Sequence, residues 1–259
     1  MTETQEYKIQ VKNIWVNYKI TGLGKPLVIL PGWLHNSDHW QLVQEILSKN
    51  FQVIVLDLPG FGKSQDPPIS WDITQYADFI ENFLKDLSIE KCFLLGHSFG
   101  GRIVTKLAGR QSPYLEKIIL LDSAGINSKR GWKKNLVRFF ASIASLIFSI
   151  WPLSIFLPAL RNKIYKILRS RDYLEVNERM REVFLKATKE DLKNDSKKIL
   201  CPTLIVWGEL DQLTPLSDAH ILNKNIVNSK LEVIKDVGHS PHIKAPEILT
   251  KHILDFLNK

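Results

Sequence analysis

The residues best suited to chemistry lie in Gly96-His97-Ser98-Phe99-Gly100. This G-x-S-x-G follows the apolar run Cys92 to Leu95 and opens a helical stretch, the strand–turn–helix context of a nucleophilic serine. The glycines answer crowding, because a serine in so tight a turn leaves no room for neighbouring side chains. A helix starting after Ser98 would aim its N-terminus at the site and favour developing negative charge there. A serine hydroxyl is a weak nucleophile and needs a base within hydrogen-bond reach. The expected chain order is serine, acid, histidine.

Two later segments fit that order. Trp207-Gly208-Glu209-Leu210-Asp211 follows an apolar run, and Asp211 stands in the loop after it. Val237-Gly238-His239 follows the last such run. Of the seven histidines, His239 alone combines a preceding glycine with that position; His242 is its nearby rival. Asp122 also ends a strand and is the rival acid, whereas Asp57 suits a loop cap and Glu209 suits solvent. His97 adjoins Ser98 in a turn that should direct it away, and His35 is placed at the entrance. Acyl transfer also needs two donors aimed at an oxyanion. The Phe99 N–H is one. The other should come from Pro31-Gly32-Trp33, where proline has no N–H and Trp33 does. Pro31, Gly32, His35, His97 and Trp151 are the candidates for lining the substrate pocket.

These residues need a scaffold. Short apolar runs alternate with amphipathic stretches, the pattern of a mostly parallel sheet covered by helices. Tyr7 to Ile20 reads as two edge strands meeting near Asn13. Further strands are expected at 26–30, 51–56, 92–95, 117–121, 203–207 and 231–234, eight in all. Helices are expected near 38–48, from an Asp72 N-cap to Leu87, at 100–110 and at 246–257. Between Gly125 and Lys198 the alternation stops and the chain becomes helix-like. The expected organisation is a core of 1–124 and 199–259, with a helical cap of 125–198 inserted after the sixth strand.

The chain has 259 residues, enough for one large α/β core. Cys92 and Cys201 are its only cysteines and read as packed core thiols, too few to hold a metal. Met1 to Gln10 is polar with no apolar core, which reads as no secretory signal and points to the cytoplasm. The net charge of +8 is uneven: Ser123 to Arg171 holds ten Lys or Arg and no Asp or Glu. The remainder carries 25 basic and 27 acidic residues, so the body is near neutral and nucleic acid is not the expected partner. Phe139 to Leu160 is 22 uncharged residues. Pro152, Pro158 and four serines interrupt it and both flanks are basic, so it reads as cap helices rather than a membrane span. A basic rim with Phe139, Phe140, Phe148, Trp151 and Phe156 leaves weak contact with an anionic membrane as a second expectation.

Leu30-Pro31-Gly32-Trp33, Asp57-Leu58-Pro59-Gly60-Phe61-Gly62-Lys63-Ser64, the serine turn, Gly208 with Asp211, and Gly238-His239 together resemble the α/β-hydrolase superfamily. The likeness is greatest to its cap-bearing esterases and C–C hydrolases, and it spans almost everything outside the cap. Many members carry histidine where this chain has Pro31. Dehalogenases and epoxide hydrolases of the fold carry aspartate where it has Ser98. The resemblance implies acyl transfer to water by Ser98, His239 and Asp211, with no cofactor. Carboxylic esters of small to medium acyl chains are the implied substrates, lactones next, and vinylogous diketones third. A non-catalytic ligand receptor is the alternative from another class.

Overall fold

The computed structural model describes residues 3–126 and 177–258. Within them lies a sheet of eight strands: β1 (Gln5–Val11), β2 (Ile14–Thr21), β3 (Pro26–Leu30), β4 (Gln52–Leu56), β5 (Cys92–His97), β6 (Leu115–Leu121), β7 (Thr203–Gly208) and β8 (Ser229–Ile234). Their spatial order is β1-β2-β4-β3-β5-β6-β7-β8. β1 and β2 form a hairpin through Lys12 and Asn13, both at positive φ, as a tight two-residue turn requires. β2 then pairs antiparallel with β4, and all later pairings are parallel. The reading of Tyr7 to Ile20 as two edge strands is therefore corrected. Of these two only β1 is an edge; β2 is covered on both sides, and its Val16, Asn17 and Tyr18 are buried.

Helices cover both faces. They are α1 (Gln41–Leu47), α2 (Ile73–Asp86), α3 (Phe99–Gly109), α4 (Glu178–Lys189), α5 (Lys193–Ser196), α6 (Leu216–Asn225), α7 (Pro241–Lys244) and α8 (Pro246–Leu257). The expected helix near 38–48 divides into a 3₁₀ turn, Ser37–Trp40, followed by α1. Asp72 caps α2: its carboxylate accepts from the Gln75 N–H at 2.9 Å while Gln75 accepts from the Asp72 N–H at 3.0 Å. The period-2 alternation of the strands feeds two cores. Val28, Leu30, Ile54, Leu56 and Leu94 pack with Tyr76, Phe83, Ile103 and Leu107 on one face. Leu27, Ile29, Val53, Val55 and Leu95 pack with Val43, Leu47, Leu249 and Ile253 on the other. Each such side chain contributes about 1.5–3 kcal/mol through burial.

Much of the expected cap lies outside the described residues, Trp151 and Phe139 to Leu160 included. Its returning end is described and is helical, as α4 and α5. It is tied to the body at two points. The Leu192 N–H donates to the Gly125 carbonyl at 2.8 Å, and the buried Arg102 guanidinium donates to the Glu190 carbonyl at 3.0 Å.

Strand order sets the position of the site. The chain moves from β3 outward to β4, then crosses back to β5 on the other side of β3. The crevice outside the carboxyl ends of β3 and β5 is thus a topological switch point, where α/β sheets bind ligands.

Candidate active site

Ser98 sits between β5 and α3 with φ 49° and ψ −107°. This strained backbone is held from several sides. The Ser98 N–H donates to the Leu121 carbonyl at 3.0 Å, and the Ser98 carbonyl accepts from the Ala124 N–H at 3.1 Å. Glycines make the turn sterically possible. A Cβ at Gly96 would lie 2.5 Å from the Gly100 oxygen, and one at Gly100 would lie 2.1 Å from the Leu30 oxygen. Gly101 has the same role, since its Cβ would meet Ser123 Oγ at 2.3 Å.

Three side chains converge here. His239 Nε2 is 2.9 Å from Ser98 Oγ, and His239 Nδ1 is 2.7 Å from Asp211 Oδ2. The partners assign the tautomer: a carboxylate only accepts, so Nδ1 carries the proton and Nε2 offers its lone pair to the serine hydroxyl. The Asp211 side chain is fully buried and further fixed by three donors. Oδ1 accepts from the Leu213 and Thr214 N–H groups at 2.8 and 3.0 Å, and Oδ2 accepts from Thr214 Oγ1 at 2.6 Å. Thr214 also lies 3.3 Å from His239 Nδ1. Sequence reading missed Thr214; its place three residues after Asp211 in a strand-end loop was the available signal, since Thr hydroxyls cap such turns.

The rivals occupy other roles. Asp122 Oδ1 accepts from the Gly208 N–H at 2.8 Å, and the side chain makes no hydrogen bond to His239. Burial, and then the neighbouring Asp211, push the Asp122 carboxyl up to about 8. Asp122 is therefore biased toward its neutral, protonated form. Asp57 binds the Ser37 and Lys63 N–H groups and Asn17 Nδ2, tying its own loop to the turn at Ser37 and to β2. Glu209 is exposed and accepts from the Asp236 N–H. His242 is buried, stacked on Trp40 at 4.4 Å, and not bonded to Ser98.

Pro31 and Gly32 are buried beside the elbow, where the Pro31 carbonyl accepts from the Gly100 N–H at 3.1 Å. A Cβ on Gly32 would lie 3.3 Å from Ser98 Cβ, so this loop runs directly past the nucleophile. Phe99 opens α3, so its N–H has no intrahelical acceptor. The Trp33 ring meets Phe61, Phe99 and Phe184 edge-on at 4.8, 5.3 and 5.0 Å, an aromatic wall beside the serine. Phe61 and Phe184 were not foreseen, because only the fold brings them there. His35 is half-buried and stacked on the exposed His39. His97 is 1% exposed, and its Nε2 lies 2.9 Å from the His239 carbonyl oxygen.

The fold is that of the α/β-hydrolases, and comparison with known proteins agrees on the family. Residues 27–250 match the alpha/beta hydrolase family model, and the chain belongs to that family. It is 28% identical over 254 residues to the dihydrolipoyllysine-residue acetyltransferase component of an acetoin cleaving system from Pseudomonas putida. That match covers 91% of this chain and 64% of the relative, so the chain spans less than two thirds of that protein. It is 27% identical to the monoacylglycerol lipase abhd6-A of Xenopus laevis, over 96% of this chain and 82% of the lipase. Among solved structures it is similar to a bacterial membrane phospholipase A, with TM-score 0.79 and 24% identity. That likeness covers 98% of this chain and 86% of the other, and it speaks for the fold. Among the described residues, no helix is long and apolar enough to cross a membrane.

Proposed function

We propose that this protein hydrolyses carboxylic esters of small to medium acyl chains through an acyl-enzyme on Ser98. The observation that carries the reading is the unbroken hydrogen-bonded chain from Ser98 Oγ through His239 to the buried Asp211. Ser98 attacks the ester carbonyl as His239 Nε2 takes its proton, and the imidazolium returns that proton to the leaving alcohol. A water activated by the same nitrogen then releases the acid. Asp211 holds the tautomer and stabilises the imidazolium. The N–H groups of Phe99 and Trp33 receive the oxyanion, a contribution worth roughly 10²–10³ in kcat for each donor in such sites.

The ester-cleaving relative and the aromatic wall beside Ser98 favour an apolar acyl group. In this reading α4, which brings Phe184 to Trp33, belongs to the cap expected over 125–198. Lactones undergo the same chemistry with the alcohol still tethered. The deciding experiment is a turnover screen of p-nitrophenyl esters of graded chain length, with lactones and a vinylogous diketone alongside. Ester turnover that Ser98→Ala abolishes is expected. Turnover of the diketone alone would move the assignment to C–C bond hydrolysis, and turnover of none would favour a ligand receptor.

A further inference from the structure

Three histidines from distant parts of the chain meet behind the His239 loop. His35 comes from the loop after β3, His97 from the end of β5 and His242 from α7. Their ring centroids are 5.6 Å apart for His35–His97, 5.3 Å for His35–His242 and 4.5 Å for His97–His242. One nitrogen of each lies within 4.8 Å of the other two. His97 and His242 are each 1% exposed. Nδ1 of His35, Nδ1 of His97 and both nitrogens of His242 are buried without a hydrogen-bond partner. A buried polar atom without a partner is destabilising. Four of them gathered on three neighbouring rings call for an occupant.

The chemistry of the nitrogens says which kind. His97 Nε2 lies 2.9 Å from the His239 carbonyl. A carbonyl only accepts, so Nε2 carries the proton and Nδ1 keeps a bare lone pair. An imidazole oriented by an N–H bond to a backbone carbonyl is how metal-bound histidines are held. Gly32 keeps the space before that lone pair open, since a Cβ there would stand 2.7 Å from His97 Nδ1. Burial holds His97 and His242 well below the usual histidine range and His35 at about 4, so all three rings are neutral near pH 7, the form that binds metal.

We propose that His35, His97 and His242 form a binding site for a zinc-type transition-metal dication. Three nitrogens within 4.8 Å of one another lie no more than about 2.8 Å from a common centre, and zinc–imidazole bonds are about 2.0–2.1 Å, so each ring need close in by at most roughly 0.7 Å. An all-imidazole ligand set suits zinc, copper, nickel or cobalt, whereas magnesium and calcium take oxygen ligands. The exposed His39, stacked on His35 at 4.7 Å, marks the side of entry. The bound ion pins the loop after β3 and α7 to the end of β5, and His97 passes that constraint to the His239 backbone. The site is separate from the Ser98 nucleophile and stands whether or not the hydrolase reading does.

The test is equilibrium dialysis of the tag-free full chain against Zn²⁺, with Co²⁺ as the spectroscopic probe. One ion per chain is expected, with a visible Co²⁺ absorption that Zn²⁺ displaces. His35→Ala and His242→Ala should each weaken binding by at least about tenfold, the scale at which even outer-shell losses register. His220→Ala, His252→Ala and Ser98→Ala should bind like the parent. If His242→Ala does not fold, the half-buried His35→Ala decides alone. No stoichiometric binding, or binding equal in His35→Ala and the parent, overturns the site.

Discussion

At the residue scale, the hydrogen-bond chain makes separable demands on its members. Ser98→Ala and His239→Ala should each lower kcat by roughly 10³-fold or more, and the double variant should be little worse than either, because such groups act as a unit. Ester kinetics on the three variants check this; near-normal turnover by Ser98→Ala would falsify the mechanism. The two aspartates differ in charge state. Asp211→Asn replaces a carboxylate that orients His239 and should lose most activity. Asp122→Asn mimics a group already protonated and should keep far more. The same contrast has a pH signature. Folding raises the Asp122 carboxyl from the ordinary 3.8 to about 8, so the folded chain binds a proton that the unfolded chain has released. Stability attributable to this group therefore falls as pH rises between those values. Asp122→Asn should gain thermal stability relative to the parent at pH 8, and the gain should vanish towards pH 4. Melting curves across that range check it, and a gain that grows on acidification refutes the assigned proton.

At the element scale, the elbow and the strand-end loops are held by close backbone approaches, and these rank the glycines. Gly100→Ala would drive a methyl to 2.1 Å from the Leu30 oxygen, and Gly208→Ala would bring one to 2.3 Å from the Gly238 oxygen. Both neighbours are backbone and cannot swing aside. Gly238 itself is different: the nearest atom to a Cβ there is the Leu210 oxygen at 3.8 Å, ordinary contact. Gly100→Ala and Gly208→Ala should yield little soluble, active protein, while Gly238→Ala should fold and retain the site. Expression yield, circular dichroism and ester turnover check the ranking. So Gly238, which singled out His239 in the sequence, is not itself required by sterics; its carbonyl is what excludes a side chain at Gly208.

At the scale of the whole molecule, charge is concentrated where the lid is proposed. Ser123 to Arg171 holds ten basic residues against none acidic, while the rest of the chain nets −2. Each basic residue held near an anionic bilayer is worth about 1 kcal/mol, and salt screens it. The full chain should therefore co-sediment with anionic liposomes at low salt, release at high salt, and ignore neutral ones. Equal binding to both lipid types, or to neither, removes the membrane reading and leaves a basic lid facing water.

Short apolar runs were enough to find the strands, because a sheet covered on both faces needs apolar residues at successive positions, as at Val28, Ile29 and Leu30 or Ile54, Val55 and Leu56. The residues Ser98, Asp211 and His239 were legible as well, because each follows a strand-end glycine, Gly96, Gly208 and Gly238, within three positions. Helix α6 escaped, since its apolar residues, such as Ala219 and Leu222, are too sparse to show a stripe. Pairing order was not legible either: β2 looked like an edge until β4 covered it, because pairing partners are chosen by long-range contacts. Tertiary structure alone decided that Thr214 would clamp Asp211 and that Asp122 would lie beside that carboxylate yet stop short of His239. It alone brought His35, His97 and His242 to one point. Those meetings depend on crossovers between strands far apart in sequence, and no local pattern encodes a distance across a sheet.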